Sequence, residues 1–312
     1  MKSLILFLAC FSHICANAQT DMDAIMMGKN RLCVGPIYTN TQWKNYWEGT
    51  LKRDNLNLGT VSTQSVGIMG SYGVSSKLNF LFNVPYVKTT ASAGTLAGMQ
   101  GFQDLGVFLK WMPVEKDMLG GTVSLYGIAG WSVPLSNYVA DFLPMSIGLR
   151  SSTASARLMA DYQTGSLFFT GSATYVARDN ITIDRDAYYT TRLHLTNEVY
   201  MPNAANFNFR AGFRDARLIA EAVVNSWKTL GGFDITRNNM PSPGNRMNAT
   251  TIGTNIKYVL LPTKHELSLV VGGNKTVAGR NVGQATTWYG AVFYVLDFSR
   301  RETSSNNPAK LN

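Results

Sequence analysis

GFQDLGVFLKWMPVEKDMLGGTVSLYGIAGWSVPL, residues Gly101–Leu135, reads as a single β-hairpin. From Leu105 onward the large apolar residues fall on every second position: Leu105, Val107, Leu109 and Trp111. Asp104, Gly106, Phe108 and Lys110 lie between them. Pro113–Gly121 is expected to turn the chain. The alternation then resumes with Val123, Leu125, Gly127, Ala129, Trp131 and Val133 on one face and Ser124, Tyr126, Ile128, Gly130 and Ser132 on the other. Period two means strand, because successive side chains point to opposite faces. Trp111 and Trp131 stand at opposite edges of the apolar band, the layout of a strand that faces lipid outward. A soluble sandwich also alternates, so the rest of the chain has to decide between the two.

The pattern recurs. Val66, Ile68, Tyr72 and Val74 share a face, and after Ser75-Ser76-Lys77 the row Leu78, Phe80, Phe82, Val84, Tyr86 follows. Similar rows run through Ser152–Gln163, Leu167–Tyr175, Asn206–Arg214, Leu218–Asn225, Ile252–Leu260 and Leu267–Asn274. A weaker row lies in Arg31–Trp43, and Thr286–Phe298 is ambiguous in register. About twelve strands result, most near the ten residues or so that a tilted membrane strand needs. Short connections (Ser75–Lys77, Thr164–Ser166, Arg214–Arg217) alternate with long ones (Lys44–Leu58, Ser136–Gly148, Asp179–Ala205). The expected fold is all-β, a transmembrane antiparallel up-and-down barrel with tight periplasmic turns and long outer loops. Tyr188–Tyr200 could add two strands, so fourteen stays open beside twelve. Tyr72, Trp111, Tyr162 and Tyr258 would form the periplasmic aromatic girdle, and Tyr86, Trp131 and Tyr175 the outer one.

The N-terminus, MKSLILFLACFSHICANAQT, has a basic start, a short apolar run and Ala16-Asn17-Ala18 as a cleavage site. Residues 1–18 read as a signal peptide, too short to span a bilayer. The remainder divides into a periplasmic segment 19–30, a barrel 31–298 and a polar tail 299–312. Cys10 and Cys15 leave with the signal, so Cys33 can form no internal disulfide. Charged residues are 15% against about 25% in ordinary soluble domains, which favours a membrane barrel over a periplasmic enzyme. The expected location is the outer membrane of a Gram-negative bacterium. The expected partners are its lipid and lipopolysaccharide, the barrel-assembly machinery and a small-molecule solute. The net charge of +9 becomes +8 without Lys2 and suits an anionic surface. Nucleic acid is excluded, because no basic helix or clustered Lys/Arg run exists.

SYGVSSKLNFLFNVPYV (Ser71–Val87) and GFQDLGVFLKWMP (Gly101–Pro113) resemble a family of outer-membrane barrels associated with the meta-pathway of phenol degradation, related in shape to fatty-acid transporters. The resemblance covers most of the mature chain and lies in its strand-turn-strand phrasing. Gly101, Asp104, Leu105 and Lys110 carry it in the second stretch. It implies a barrel that passes small, often apolar, molecules. It brings no catalytic residues. The polar tail after Phe298 departs from barrels that end on an aromatic.

Charged residues on the inward rows are the candidate site. These are Asp104, Lys110, Arg157, Asp161, Arg178, Arg210, Arg214, Glu221, Lys257 and Glu266, joined by Phe108 and Tyr126. A basic residue facing lipid at mid-depth costs about 2–4 kcal/mol, so alternation sends them to the lumen. There they either lock the barrel with ion pairs or line a solute path. The bulky Phe108, Tyr126 and Phe168 favour a plugged or ligand-gated interior over an open pore. His194 and Thr196 could share a strand face as base and nucleophile, but a loop histidine in solvent is the simpler reading. His265 belongs in a surface turn. No metal-ligand spacing or phosphate loop occurs, so neither metal nor cofactor is expected. A channel for small, weakly polar or aromatic solutes is therefore the leading reading. A structural or adhesive barrel acting through its outer loops, and a lipid hydrolase, are the alternatives.

Overall fold

The computed structural model describes residues 20–235, 241–261 and 265–299. The expected signal peptide 1–18 and nearly all of the C-terminal tail lie outside the described residues. Twelve long strands form the wall: β1 (Arg31–Trp43), β2 (Val61–Ser75), β3 (Leu78–Ala91), β4 (Asp104–Met118), β5 (Gly121–Pro134), β6 (Thr153–Thr164), β7 (Leu167–Arg178), β8 (Ala204–Arg214), β9 (Leu218–Thr229), β10 (Asn248–Leu261), β11 (Leu267–Arg280) and β12 (Thr286–Asp297). Each pairs antiparallel with the next. β12 returns to β1, from Arg31↔Asp297 to Gln42↔Thr286, and closes the barrel. Closure leaves no free sheet edge, which a lipid-exposed backbone requires.

The alternation sets the two surfaces. Val107, Leu109, Leu125 and Phe80 lie on the outer surface with Trp111 and Trp131, which are 55% and 51% exposed. Trp131 pairs with Val107 near the open end of the hairpin, whereas Trp111 pairs with Gly127 in mid-strand rather than at the expected edge, because the strand runs on to Met118. Inward neighbours such as Lys110, Tyr126 and Ile128 are buried. The β4–β5 connection is shorter than expected. The strand continues through Pro113 by a bulge between Trp111 and Val114, which accommodates a residue with no N–H to donate. The turn itself is Leu119-Gly120, both left-handed (φ 56° and 77°), the two-residue geometry that matches strand twist.

Residues 179–203 contribute no wall strand. They form two short pairs above the barrel, Ile181–Thr182 with Glu198–Val199 and Tyr188–Tyr189 with Leu193–His194. The strand count is therefore twelve. Apolar residues of these loops pack on one another: Ile181, Ile183, Val199 and Met201 bury against Ala140 of the β5–β6 loop. That loop dips inward at the outer end. Its Met145 packs on Leu58 and Val61, and its Tyr138 and Ile147 on Val87.

At the β1–β12 seam the backbones nearly touch. A Cβ on Gly35 would stand 1.9 Å from the Val292 carbonyl oxygen, so only glycine fits.

Candidate functional site

The barrel interior is filled by the chain's own N-terminal segment. Residues 20–30, expected in the periplasm, run up into the lumen. Their root is fixed where Asn30 N donates to Gly73 O and Phe298 N donates to Asn30 O. Met27 inserts among Cys33, Phe293 and Val295 of β1 and β12. Further in, Ala24 packs against Met112, Tyr126, Ile128 and Met159, and Tyr126 Oη donates to Ala24 O at 2.9 Å.

The tip is held by charge. Lys110 is fully buried, yet its Nζ donates to the carbonyls of Thr20 (3.2 Å), Asp23 (2.6 Å) and Ile25 (2.8 Å) and to Asp23 Oδ1 (3.0 Å). An ammonium with that many acceptors replaces its lost hydration, which is why a segment with exposed carbonyls prefers the lumen to water. Arg157 Nη1 meets Asp21 Oδ2 at 2.9 Å and the Asp21 carbonyl oxygen at 2.5 Å, while its Nε donates to Thr174.

The remaining inward charges pair along the wall. Arg210 Nη1 lies 2.6 Å from Glu221 Oε1, which also accepts from Asn255. Arg214 Nη1 lies 2.9 Å from Asp161 Oδ2, with its guanidinium 3.9 Å from the Phe168 ring centroid. Thr170 Oγ1 donates to Asp161 as well. Lys257 Nζ meets Glu266 Oε1 at 3.3 Å. Near the outer mouth Asp104 accepts from Tyr138 Oη at 2.6 Å, and Arg178 lies over the Trp227 ring. Phe108 packs against the cluster around Ala24. Of the aromatic girdle, Tyr86, Trp111, Trp131, Tyr175 and Tyr258 are exposed on the outer surface. Tyr72 and Tyr162 are partly covered, their hydroxyls donating to Asn30 Oδ1 and the Leu119 carbonyl.

His194 stacks on Tyr188, and its Nε2 is 3.0 Å from Thr190 Oγ1. The Thr196 hydroxyl instead accepts from Glu198 N. The base and nucleophile considered in the sequence are thus engaged elsewhere. Among the described residues no group of three His, Cys, Asp or Glu is placed to hold a metal.

Two cavities flank the N-terminal segment. One, of about 530 Å³, lies toward the short turns, with Glu115, Gly165 and Asp215 at its rim. The other, of about 220 Å³, lies deeper. Its lining is mixed, with polar side chains mainly from β8–β10 (Arg210, Glu221, Asn255, Lys257) and apolar ones mainly from β1, β2, β11 and β12 (Ile37, Met69, Val270, Phe293). Ile25, Arg214 and Ile219 line both cavities and form the partition between them.

The sequence reading missed the segment. Its traces were Asp21 and Asp23 in a chain poor in charge, followed by the apolar Ala24–Met27. Asp21 and Met22 form a turn closed by Thr20 and Asp23, and Ala24–Met27 has no regular structure, so periodicity gave them no place.

An outer membrane channel from Pseudomonas putida F1 superposes with a TM-score of 0.70, over 90% of this chain and 100% of that one, at 10% identity. The two share one fold. At that identity the likeness is one of fold alone. The translocator domain of the autotransporter NalP from Neisseria meningitidis (TM-score 0.46, 9% identity, 89% and 91% covered) is less alike. So is the monoaromatic hydrocarbon channel CymD (0.41, 10%, 88% and 90%). No family model and no curated protein matches the sequence, so the association with phenol degradation rests on the motifs alone.

Proposed function

We propose that this chain is an outer-membrane channel for small, weakly polar solutes, aromatic or otherwise apolar in their bulk, and that its N-terminal segment holds it closed. The interior carries the reading. A barrel with an apolar exterior encloses two chambers in series, and the deeper one has a mixed polar and apolar lining. A solute with an apolar body meets Ile37, Met69 and Phe293, while its polar group meets Arg210 and Asn255. The full-length likeness to an outer membrane channel is in keeping with this. Export by a cleaved signal, a Gram-negative outer membrane, lipopolysaccharide contact and delivery by the barrel-assembly machinery belong to the same reading.

The test is uptake of labelled aromatic, aliphatic and sugar solutes into liposomes holding the purified protein, with single-channel recording beside it. Small apolar solutes are expected to enter faster than into protein-free liposomes, and deletion of residues 20–27 to raise conductance. Entry no faster than into empty liposomes, with no conductance from either protein, would refute the channel.

A further inference from the structure

The lumenal cations fall into two kinds. Arg210, Arg214 and Lys257 have carboxylates on the wall itself, Glu221, Asp161 and Glu266. Lys110 and Arg157 pair, among the described residues, with Asp23 and Asp21 of the N-terminal segment. Among the described residues, the hydrogen bonds of the Lys110 ammonium all go to that segment. Register sets the two cations side by side: Lys110 is opposite Ile128 on β5, and Ile128 is opposite Arg157 on β6. Two strand spacings separate their backbones, about 10 Å. The floor around them is apolar, made of Met112, Tyr126, Ile128 and Met159.

We propose that Lys110 and Arg157 form a carboxylate-binding site, occupied by Asp21 and Asp23 when the channel is shut, and that a small organic acid with an apolar body opens it by taking their place. This rests on the channel reading and names the solute class and the regulation of that same lumen. If the segment leaves alone, two cations about 10 Å apart stay in the wall with their ion pairs broken and no counter-charge between them, which disfavours that state. A neutral solute does not relieve that state. A carboxylate does, and it therefore binds the open form better than the closed one, which is the condition for shifting the equilibrium. The 220 Å³ chamber is lined by Thr20, Asp23 and Ile25, so a solute there touches the segment it displaces. Its volume admits one ring with a substituent, since an apolar cavity of about 150 Å³ holds benzene.

The experiment is single-channel recording of the whole mature chain in planar bilayers at fixed ionic strength. Benzoate is compared with benzyl alcohol, and hexanoate with hexanol. Each acid is expected to raise open probability about tenfold over its alcohol, a modest population shift. Lys110→Met and Arg157→Met are expected to lose that response. Asp21→Asn and Asp23→Asn leave the socket intact and keep the question answerable if the first pair fail to fold. They are expected to raise basal opening and move the reversal potential toward chloride in a KCl gradient. Equal responses to acid and alcohol, or opening of the asparagine variants with no move toward chloride, would overturn the inference while leaving the channel standing. Absence of conductance even after deletion of residues 20–27 would remove the channel and this inference with it.

Discussion

Leu109 and Lys110 are neighbours on β4 with opposite surroundings. Leu109 is 42% exposed on the outer surface and Lys110 is 0% exposed in the lumen. Leu109 pairs with Phe80 and Ala129, well inside the apolar band. Leu109→Arg therefore sets a charge in hydrocarbon at a cost of about 2–4 kcal/mol. At 1.4 kcal/mol per decade that is roughly a 30- to 700-fold loss in the equilibrium for folding into a bilayer. Lys110→Leu does something different. The wall keeps its shape, but the Asp23 carboxylate and three carbonyls lose their donor. Removing one partner of a buried pair costs about 3–5 kcal/mol. That cost falls on docking of the N-terminal segment, because the segment escapes it by withdrawing. Folding into lipid vesicles, read from heat-modifiable gel migration, is expected to fail for Leu109→Arg and succeed for Lys110→Leu. Hydrogen exchange of the Thr20–Ile25 amides is expected to be slow in the wild type and fast in Lys110→Leu. Equal folding yields, or a segment still protected without Lys110, would refute the assignment of faces and of the lock.

Two further outcomes are expected. Gly35→Ala forces β1 from β12 at a backbone contact that cannot yield, so it should lower the unfolding temperature of the barrel; overpacking of this kind costs about 1–3 kcal/mol. Gly127→Ala, whose added Cβ meets only the Trp111 ring at 3.9 Å, is the tolerated control. In the outer cap, hydrogen bonds from Arg280 and then Asn281 hold the Asp234 carboxyl down to about 2. That lies below the unfolded carboxyl at about 3.9, so the contact is at full strength above pH about 4 and is lost as pH falls through about 2. Hydrogen exchange of the described residues of the 230–247 loop should accelerate over that window, and Asp234→Asn should remove the step.

The wall was legible because lipid enforces it. Leu105, Val107 and Leu109 alternate with Gly106, Phe108 and Lys110 for a reason that acts at every residue, so the period survives in the sequence. The inward placement of Arg157, Arg210 and Glu221 followed from the same rule. Partners did not follow. Alternation says that Arg157 faces the lumen; it does not say that Asp21, 136 residues away, meets it there. The segment carrying Asp21 has no period, and its fold is dictated by the cavity that receives it. The Pro113 bulge hid for a related reason: proline and the charged run after it read as a turn, whereas the strand absorbs proline by skipping one hydrogen-bonded step. The loop strands at 181–199 were visible as strand-like sequence, but their placement above the barrel depends on burial of Ile181 and Val199 against Ala140, a contact between distant loops.

Why the lumen holds ion pairs at all is a question of two states. A buried pair is often no more stable than apolar side chains of the same size, so a barrel meant only to stay shut gains little from Arg210–Glu221 or Lys257–Glu266. An apolar lumen, once opened, would dewet. Wall-to-wall pairs stay neutralised whether or not the N-terminal segment is present, because both partners sit on the barrel. They keep the passage polar without favouring either state. Of the lumenal cations in ion pairs among the described residues, only Lys110 and Arg157 pair with the segment, and on the proposed gating these are the ones that change partners. On the proposed gating, the charge-dependent part of the difference between shut and open rests on these two side chains, where a single ligand group can act on it, while Met27 and Ala24 supply an apolar part that does not depend on charge.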